Sequence, residues 1–312
     1  MKACIDIGGT KVAVSLADGS GAPPVHRRSE PTATRGDRDA LARQVLRMVD
    51  AVCADAGLAP QSVAQAGVAS CGPFVLDGGC LEVANPNICG GIAGPARGLP
   101  NDWKTVPLEA PLRQRFARLR IENDAVAALE AERLWGALQG SSHCAYVTWS
   151  TGIGAGLCVD GRVLRGKNGN AGHAGHTFAS DGAHGLLCGC GNVGDVEALV
   201  AGNALARRFA SEGWGDAAGL MAAAGAGDAR ALAEVDELCR VLGRMLYNLV
   251  ALLDLERISL GGGVFLHHRA LLLPRLQAEV AAHLPALTAG VRLVPAGLGE
   301  RVGDFGAVAL VA

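Results

Sequence analysis

Two histidines three residues apart, His173 and His176, precede Cys188, Cys190 and Asp195 in the run Gly172–Glu197, GHAGHTFASDGAHGLLCGCGNVGDVE. His176, Cys188, Cys190 and Asp195 offer one imidazole nitrogen, two thiolates and one carboxylate, a donor set that suits tetrahedral zinc. Any one of these side chains taken alone reads as a residue without a task. Their crowding into a segment too glycine-rich for a helix or an ordinary strand favours a shared one. C-x-C is less specific than C-x-x-C, and aspartate is a less usual structural ligand than cysteine. On the residues alone, a metal knuckle over 173–197 is one open reading.

Two glycine hairpins carry a second chemistry. A strand at Lys2–Ile7 turns through Gly8-Gly9-Thr10-Lys11 into Val12–Leu16 and closes at Asp18-Gly19. The pattern recurs at Ala145–Trp149, Ser150-Thr151-Gly152-Ile153-Gly154, Ala155–Val159 and Asp160-Gly161. Glycine lets backbone N–H groups come close to phosphate oxygens. Either hairpin alone reads as an ordinary β-turn; as a repeat, the pair suggests two related domains that each offer N–H groups to an anion. No Walker motif is present, nor G-x-G-x-x-G opening a helix. Asp124 stands between a short strand, Leu119–Ile121, and a helix from about Ala125 to Leu138, with Asn123 as N-cap. A carboxylate there can take the proton of an attacking hydroxyl, or merely complement the helix dipole.

The rest of the chain must position these groups. Its 312 residues are long enough for two domains, half are hydrophobic, and the formal net charge of −2 gives no basic footprint for nucleic acid. Cys4, Cys53, Cys144, Cys158 and Cys239 lie in apolar runs and read as core residues of a reducing compartment. The start lacks a signal peptide's apolar stretch and no run is long enough to span a membrane, so a cytoplasmic protein is expected. Asp39–Ala56 predicts a helix with Leu41, Val45, Leu46, Val49, Val52 and Cys53 on one face. Ala64–Ala69 predicts a buried strand ending in Ser70-Cys71-Gly72-Pro73, and Asn85–Gly94 a loop. Ala229–Leu253 predicts a long helix with Leu238, Leu242, Met245, Leu249 and Leu252 along one side. Ile258–Leu260 predicts a strand entering Gly261-Gly262-Gly263. A small-residue helix over Gly303–Ala312 is placed to return to the first domain. The expected division is a smaller α/β domain, 1–117, and a larger one, 118–299, hinged near 110–120. His26, His143, His184, His267, His268 and His283 read as solvent or packing residues, and Glu130–Arg133 as a wet face.

These motifs resemble the ROK family of bacterial sugar kinases, repressors and open-reading-frame proteins. The family's Gly-His pair followed by C-x-C-G-x-x-G-C-x-E is matched at Gly175-His176, Cys188–Gly191, Gly194 and Glu197. The chain departs at Asp195, where the family usually has a third cysteine, and at His173, where most of its sugar kinases carry a sugar-touching glutamate. The form G-H-x-G-H resembles the family's bacterial N-acetylmannosamine kinases. The resemblance implies a duplicated actin-like (hexokinase/ribonuclease H-like) α/β fold of two domains with a cleft between them for ATP. D-I-G-G-T-K and S-T-G-I-G-A-G match the family's phosphate hairpins. They assign Gly8, Gly9, Thr10, Lys11, Thr151, Gly152 and Gly154 to phosphate, with Asp6 supporting Mg2+–ATP. Gly261, Gly262 and Gly263 match the turn bordering adenosine. The family's N-D-A-x-A-A recurs at Asn123–Ala128 and implies Asp124 as general base and Asn123 as a sugar-hydroxyl partner. Gly72, Asn85, His173 and His176 match sugar-contacting positions, with His176 serving a structural zinc and the sugar through opposite ring nitrogens. The implied activity is transfer of the γ-phosphate of ATP to the 6-hydroxyl of an N-acetylhexosamine, N-acetylmannosamine first, with glucose or another hexose as the alternative. A homodimer is implied with it. Family repressors carry a helix-turn-helix before the first hairpin, which here begins by residue 8. A sugar-binding protein without turnover is the third reading, motivated by His173 and Asp195 and opposed by Asp124 and both hairpins.

Overall fold

Apolar residues occupy both faces of Lys2–Ile7 (β1) and Lys11–Ala17 (β2), as strands in the middle of a covered sheet require. They pair antiparallel, Ile7 opposite Val12, and Gly8 N donates to Lys11 O across the turn at 2.8 Å. The computed structural model describes residues 1–92, 98–181 and 185–312. Gly94, the end of the loop expected at Asn85–Gly94, and His184 lie outside the described residues. Contacts divide the chain into two units.

The first unit comprises Met1–Leu134, Arg165–Ala171 and Arg301–Ala312. Its sheet continues with Val25–Pro31 (β3), a mostly exposed polar strand antiparallel to β2. The helix Ala40–Asp55 (α1) buries Leu41, Val45, Val49, Val52 and Cys53, with Leu46 half-buried, and packs on β2. Each aliphatic side chain sunk this way contributes about 1.5–3 kcal/mol. Gln65–Ser70 (β4) lies parallel to β1. A small antiparallel sheet follows, Phe74–Asp77 (β5), Cys80–Val83 (β6) and Val106–Pro107 (β7), then Glu109–Arg115 (α2). Arg118–Asn123 (β8) pairs parallel with β4 and runs into Asp124–Trp135 (α3). The strand order is β3-β2-β1-β4-β8.

The second unit comprises Trp135–Leu164 and Gly172–Glu300. Cys144–Trp149 (β9), Ile153–Val159 (β10) and Arg162–Val163 (β11) form its antiparallel part. Helices Val196–Val200 (α4), Gly202–Phe209 (α5), Ala217–Gly225 (α6) and Ala229–Leu253 (α7) precede Arg257–Gly261 (β12). Gly263–His267 (α8), Arg269–Ala281 (α9), Pro285–Thr288 (α10) and Arg292–Pro295 (β13) complete it. The order β11-β10-β9-β12-β13 repeats the first sheet: a hairpin, then two parallel strands beyond its first arm. The chain closes with Val302–Ala309 (α11), which packs on β1 and β4 of the first unit. Gly67 permits this approach, since a Cβ there would lie 2.9 Å from Leu310 Cβ.

Two expectations are corrected. The boundary at 117/118 divides strands that pair, because β8 bonds to β4 along Gln65–Ser70; the first unit runs to Leu134 and reclaims Arg165–Ala171. Leu252 is 79% exposed although Leu238, Leu242, Met245 and Leu249 are buried. A seven-residue spacing drifts by about 20° per heptad on a straight helix, and Leu252 sits in the last turn before the left-handed cap at Asp254. None of the ten cysteines is joined in a disulfide, and Cys4, Cys53, Cys144, Cys158 and Cys239 are buried. Among the described residues, no helix is long and apolar enough to cross a membrane.

Candidate functional site

In the first unit, Asp6, Cys71 and Asp124 gather where the parallel strands β1, β4 and β8 end, the usual address of function in such sheets. Asp124 opens α3, and Ala125 N donates both to its Oδ1 at 2.8 Å and to Asn123 Oδ1 at 3.0 Å. Asn123 therefore caps the helix as its sequence position predicts. Asp124 keeps an exposed face, yet loss of water around its carboxyl raises it to about 6, against the pull of the Ala125 N–H and Asn123. Asp6 is raised to about 7, first by burial and then by the charges of Asp124 and Asp304, with Lys11 and Arg27 opposing. Asp304 is itself paired with Arg27 at 2.9 Å. Burial, then Asp124 and Asp6, pushes the Cys71 thiol well up, so it stays protonated.

The turn after β4 and the loop after β6 meet in this unit. Asn85 is buried; its Nδ2 donates to Gly72 O at 2.5 Å and its Oδ1 accepts from Asn87 N at 2.8 Å. Gly9 abuts this loop: a Cβ on it would stand 2.7 Å from Asn87 Cβ. Thr32 braces the first hairpin, its N donating to Thr10 O at 3.0 Å and its Oγ1 to Gly8 O at 2.8 Å. Thr10 and Lys11 remain exposed.

In the second unit, Ser150 N donates to Gly152 O at 3.0 Å and Thr151 is exposed. Gly154 is part of β10, opposite Thr148. Glu197 Oε2 accepts from Ile153 N at 2.9 Å and would stand 2.8 Å from a Cβ on Gly152. Gly261, Gly262 and Gly263 run from β12 into α8. Gly262 has φ +85°, and a Cβ there would meet the Trp149 backbone.

The four candidate metal ligands converge. His176 Nδ1 lies 3.3 Å from Asp195 Oδ2 and 3.7 Å from Cys188 Sγ, and Cys190 Sγ lies 3.5 Å from Asp195 Oδ2. All four donor atoms fall within 4.8 Å of one another. Metal–ligand bonds of about 2.0–2.3 Å at tetrahedral angles give edges of roughly 3.3–3.8 Å; the three separations above fall in that range, and the set would draw in where it spreads toward 4.8 Å to hold zinc. Asp195 is fully buried, and its Oδ1 caps α4 by accepting from Ala198 N at 2.8 Å. Burial would raise its carboxyl, but His176, Ala198 N and the cysteines hold it below the usual range. The hydrogen bond that its Nδ1 donates to Asp195 raises His176, whereas burial and then His176 lower His173. His173 stacks on His176 with ring centroids 5.9 Å apart, and its buried Nε2 has no hydrogen-bond partner among the described residues.

Each sequence-assigned residue thus has a place: Asp6, Gly8, Gly9, Thr10, Lys11, Gly72, Asn85, Asn123 and Asp124 in the first unit, and the hairpin, glycine turn, histidines and metal set in the second. Cys71 and Asp304 were not among the assigned residues because their types carried no signal, whereas Asn87 was read as part of Asn85-Pro86-Asn87, which resembles the loop beside the acetamido group in the family's N-acetylmannosamine kinases. Glu197 was matched only as the end of a motif; its contact with Ile153, 44 residues away, invited no role.

Comparison with known proteins completes the description. The ROK family model matches residues 2–312. A glucokinase of Aeropyrum pernix is 31% identical over 326 residues, spanning 98% of this chain and 95% of its own length. An N-acetylmannosamine kinase of Salmonella typhi is 35% identical over 267 residues, covering 83% of this chain and 82% of that protein. A ROK family glucokinase from Streptomyces griseus, solved in complex with glucose and AMPPNP, superposes with TM-score 0.72 at 27% identity, covering 99% of this chain and 98% of that one.

Proposed function

Since the chain belongs to the ROK family and has its duplicated actin-like fold, we propose that it is an ATP-dependent sugar kinase acting on the 6-hydroxyl of an N-acetylhexosamine, N-acetylmannosamine before others. One observation carries the reading. Asp124 stands at the end of β8 with its carboxyl raised to about 6, where it is ionised at neutral pH yet basic enough to accept a proton. Phosphoryl transfer asks mainly for positioning and charge neutralisation. Asn123 and Asn85, with the Gly72 turn, orient the sugar; Asp124 takes the proton of its attacking hydroxyl. Gly8, Gly9, Thr10 and Lys11 offer N–H groups and an ammonium to the phosphates. Thr151, Gly152 and Gly154 are the second phosphate candidates, and Gly261–Gly263 border the nucleoside. Asp6, crowded by like charges, fits the neighbourhood of Mg2+, which when bound neutralises phosphate oxygens.

His176, Cys188, Cys190 and Asp195 would hold zinc, a structural charge that fixes the tautomer and direction of the His176 ring. The neutral His173, with its unpartnered buried Nε2, is the second sugar contact of this unit. G-H-x-G-H and the Salmonella relative support N-acetylmannosamine; the Aeropyrum and Streptomyces relatives support glucose as the alternative. A cytoplasmic homodimer belongs to the same reading, and sedimentation tests its subunit count. ATP consumption against N-acetylmannosamine, N-acetylglucosamine, glucose, mannose, fructose and allose tests the rest. Fastest turnover on N-acetylmannosamine is expected. Fastest turnover on glucose keeps the kinase and discards His173 as a marker of the sugar, and ATP binding with no turnover favours a non-catalytic sugar-binding protein.

A further inference from the structure

Between β11 and the His173–His176 turn, Arg165–Ala171 belongs to the first unit. The segment closes on itself, Ala171 N donating to Arg165 O at 3.0 Å, with Gly166 and Gly169 in left-handed conformations. Asn170 engages Phe74 as a neighbouring strand would: its Oδ1 accepts from Phe74 N and its Nδ2 donates to Phe74 O, both at 2.7 Å. Gly169 lies against the Phe74 ring, where a Cβ would be 3.3 Å from Cδ2. Phe74 is buried and directly follows Gly72-Pro73. Gly72 O is held from its other side by Asn85 Nδ2. At the far end of the segment, Arg165 Nε donates to Glu122 Oε1 at 2.6 Å and Nη2 to Glu130 Oε1 at 3.4 Å. Arg120 pairs with the same two carboxylates. Glu122 is buried and adjoins Asn123-Asp124.

We propose that Asn170 is a positioning residue for the acceptor sugar. By supplying both hydrogen bonds of Phe74's backbone, it fixes the Cys71–Phe74 turn so that Gly72 and Asn85 meet the sugar in one geometry. The proposal rests on the sugar-kinase reading. It differs from a general structural role, because the Gly8–Lys11 hairpin is braced directly by Thr32, and the turn bonds to it at its Cys71 end, Cys71 N donating to Ile7 O at 2.7 Å, rather than at Phe74. A ligand that relies on the turn should suffer while ATP does not.

The test compares Asn170→Ala and Asn170→Asp with Lys167→Ala, an exposed residue of the same segment. Steady-state kinetics, calorimetric binding of N-acetylmannosamine and of glucose without ATP, and amide exchange of the peptide containing Phe74 are measured on each. Loss of two neutral hydrogen bonds predicts about a tenfold rise in the sugar KM and Kd, faster exchange at Phe74, and an unchanged KM for ATP. Asn170→Asp, which keeps the acceptor but turns a carboxylate oxygen toward Phe74 O, should lose at least as much as Asn170→Ala, and Lys167→Ala should match wild type. Wild-type sugar affinity in Asn170→Ala, unaltered exchange at Phe74, or equal losses for sugar and ATP would overturn the proposal. If wild type binds sugar but turns none over, the kinase reading falls while binding and exchange still decide the role of Asn170.

Discussion

The hairpins at Gly8–Lys11 and Ser150–Ile153 sit at the same place in two sheets of the same order, yet their surroundings differ. The first is braced from behind by Thr32 and lies against Asn87, leaving Thr10 and Lys11 exposed. The second already holds a carboxylate, since Glu197 accepts from Ile153 N. Glu197 Oε1 also lies 3.7 Å from Cys188 Sγ, so the second hairpin is tied to the cysteine cluster. One backbone device thus has two settings: a hairpin left open beside the Lys11 ammonium, and a turn tied by Glu197 to the loop that carries Cys188. What distinguishes them is the side chain that the rest of the unit brings to the N–H groups.

The largest effect should follow from Asp124→Asn, which removes the only proposed proton acceptor and leaves both hairpins intact. Loss of general-base catalysis predicts a fall in kcat of about 10²–10⁴-fold with a little-changed melting temperature. Wild-type kcat in that variant would take Asp124 out of the mechanism. The hairpins themselves are separated by Gly9→Ala and Gly152→Ala. A methyl on Gly9 meets Asn87, and one on Gly152 meets Glu197; overpacking of this kind costs about 1–3 kcal/mol. Gly9→Ala should raise the KM for ATP and leave zinc content as in wild type, whereas Gly152→Ala should lower zinc content as well. Equal zinc content in the two variants, read by elemental analysis, would dissolve the distinction.

The two hairpins were visible in the residues but their different surroundings were not, and the limits have physical causes. β1 and α7 match their predicted bounds because long apolar patterns report directly on burial. β3, β5–β7 and β13 carry no such pattern: they are polar or only a few residues long. The first unit's true extent depends on β8 pairing with a strand about fifty residues earlier, which local spacing does not encode. The cysteine set was readable as a list of donors; that Asp195 also caps α4 and that Glu197 reaches Ile153 were not, because side-chain-to-backbone bonds leave no periodicity.

Asp195 offers a smaller test on the second unit's side of the contrast. Asp195→Cys restores a softer ligand but cannot cap α4 as a carboxylate does, and losing a cap costs about 1 kcal/mol. The variant should hold zinc more tightly in a chelator competition, and its zinc-free form should melt a few degrees lower than the zinc-free wild type. Weaker zinc retention would remove Asp195 from the ligand set. The smallest effect concerns pH in the first unit. Asp6 has its folded pKa raised to about 7 from an ordinary 3.8, so the folded state favours its protonated form. That stabilising preference is present below the ordinary value and is lost as pH rises through about 7. Asp6→Asn should therefore raise the melting temperature at pH 8 by roughly 2–4 °C, with the gain shrinking as pH falls toward 4, at the expense of activity. A gain independent of pH would assign the effect to packing rather than charge.

The central claim, that Asp124 serves a sugar 6-kinase, is tested most directly by phosphorus NMR of wild-type protein and Asp124→Asn incubated with ATP, Mg2+ and N-acetylmannosamine or glucose. The account predicts ADP and a sugar 6-phosphate from wild type and almost none from the variant. Unconsumed ATP in the wild-type sample with both sugars, or equal product from both proteins, would contradict it.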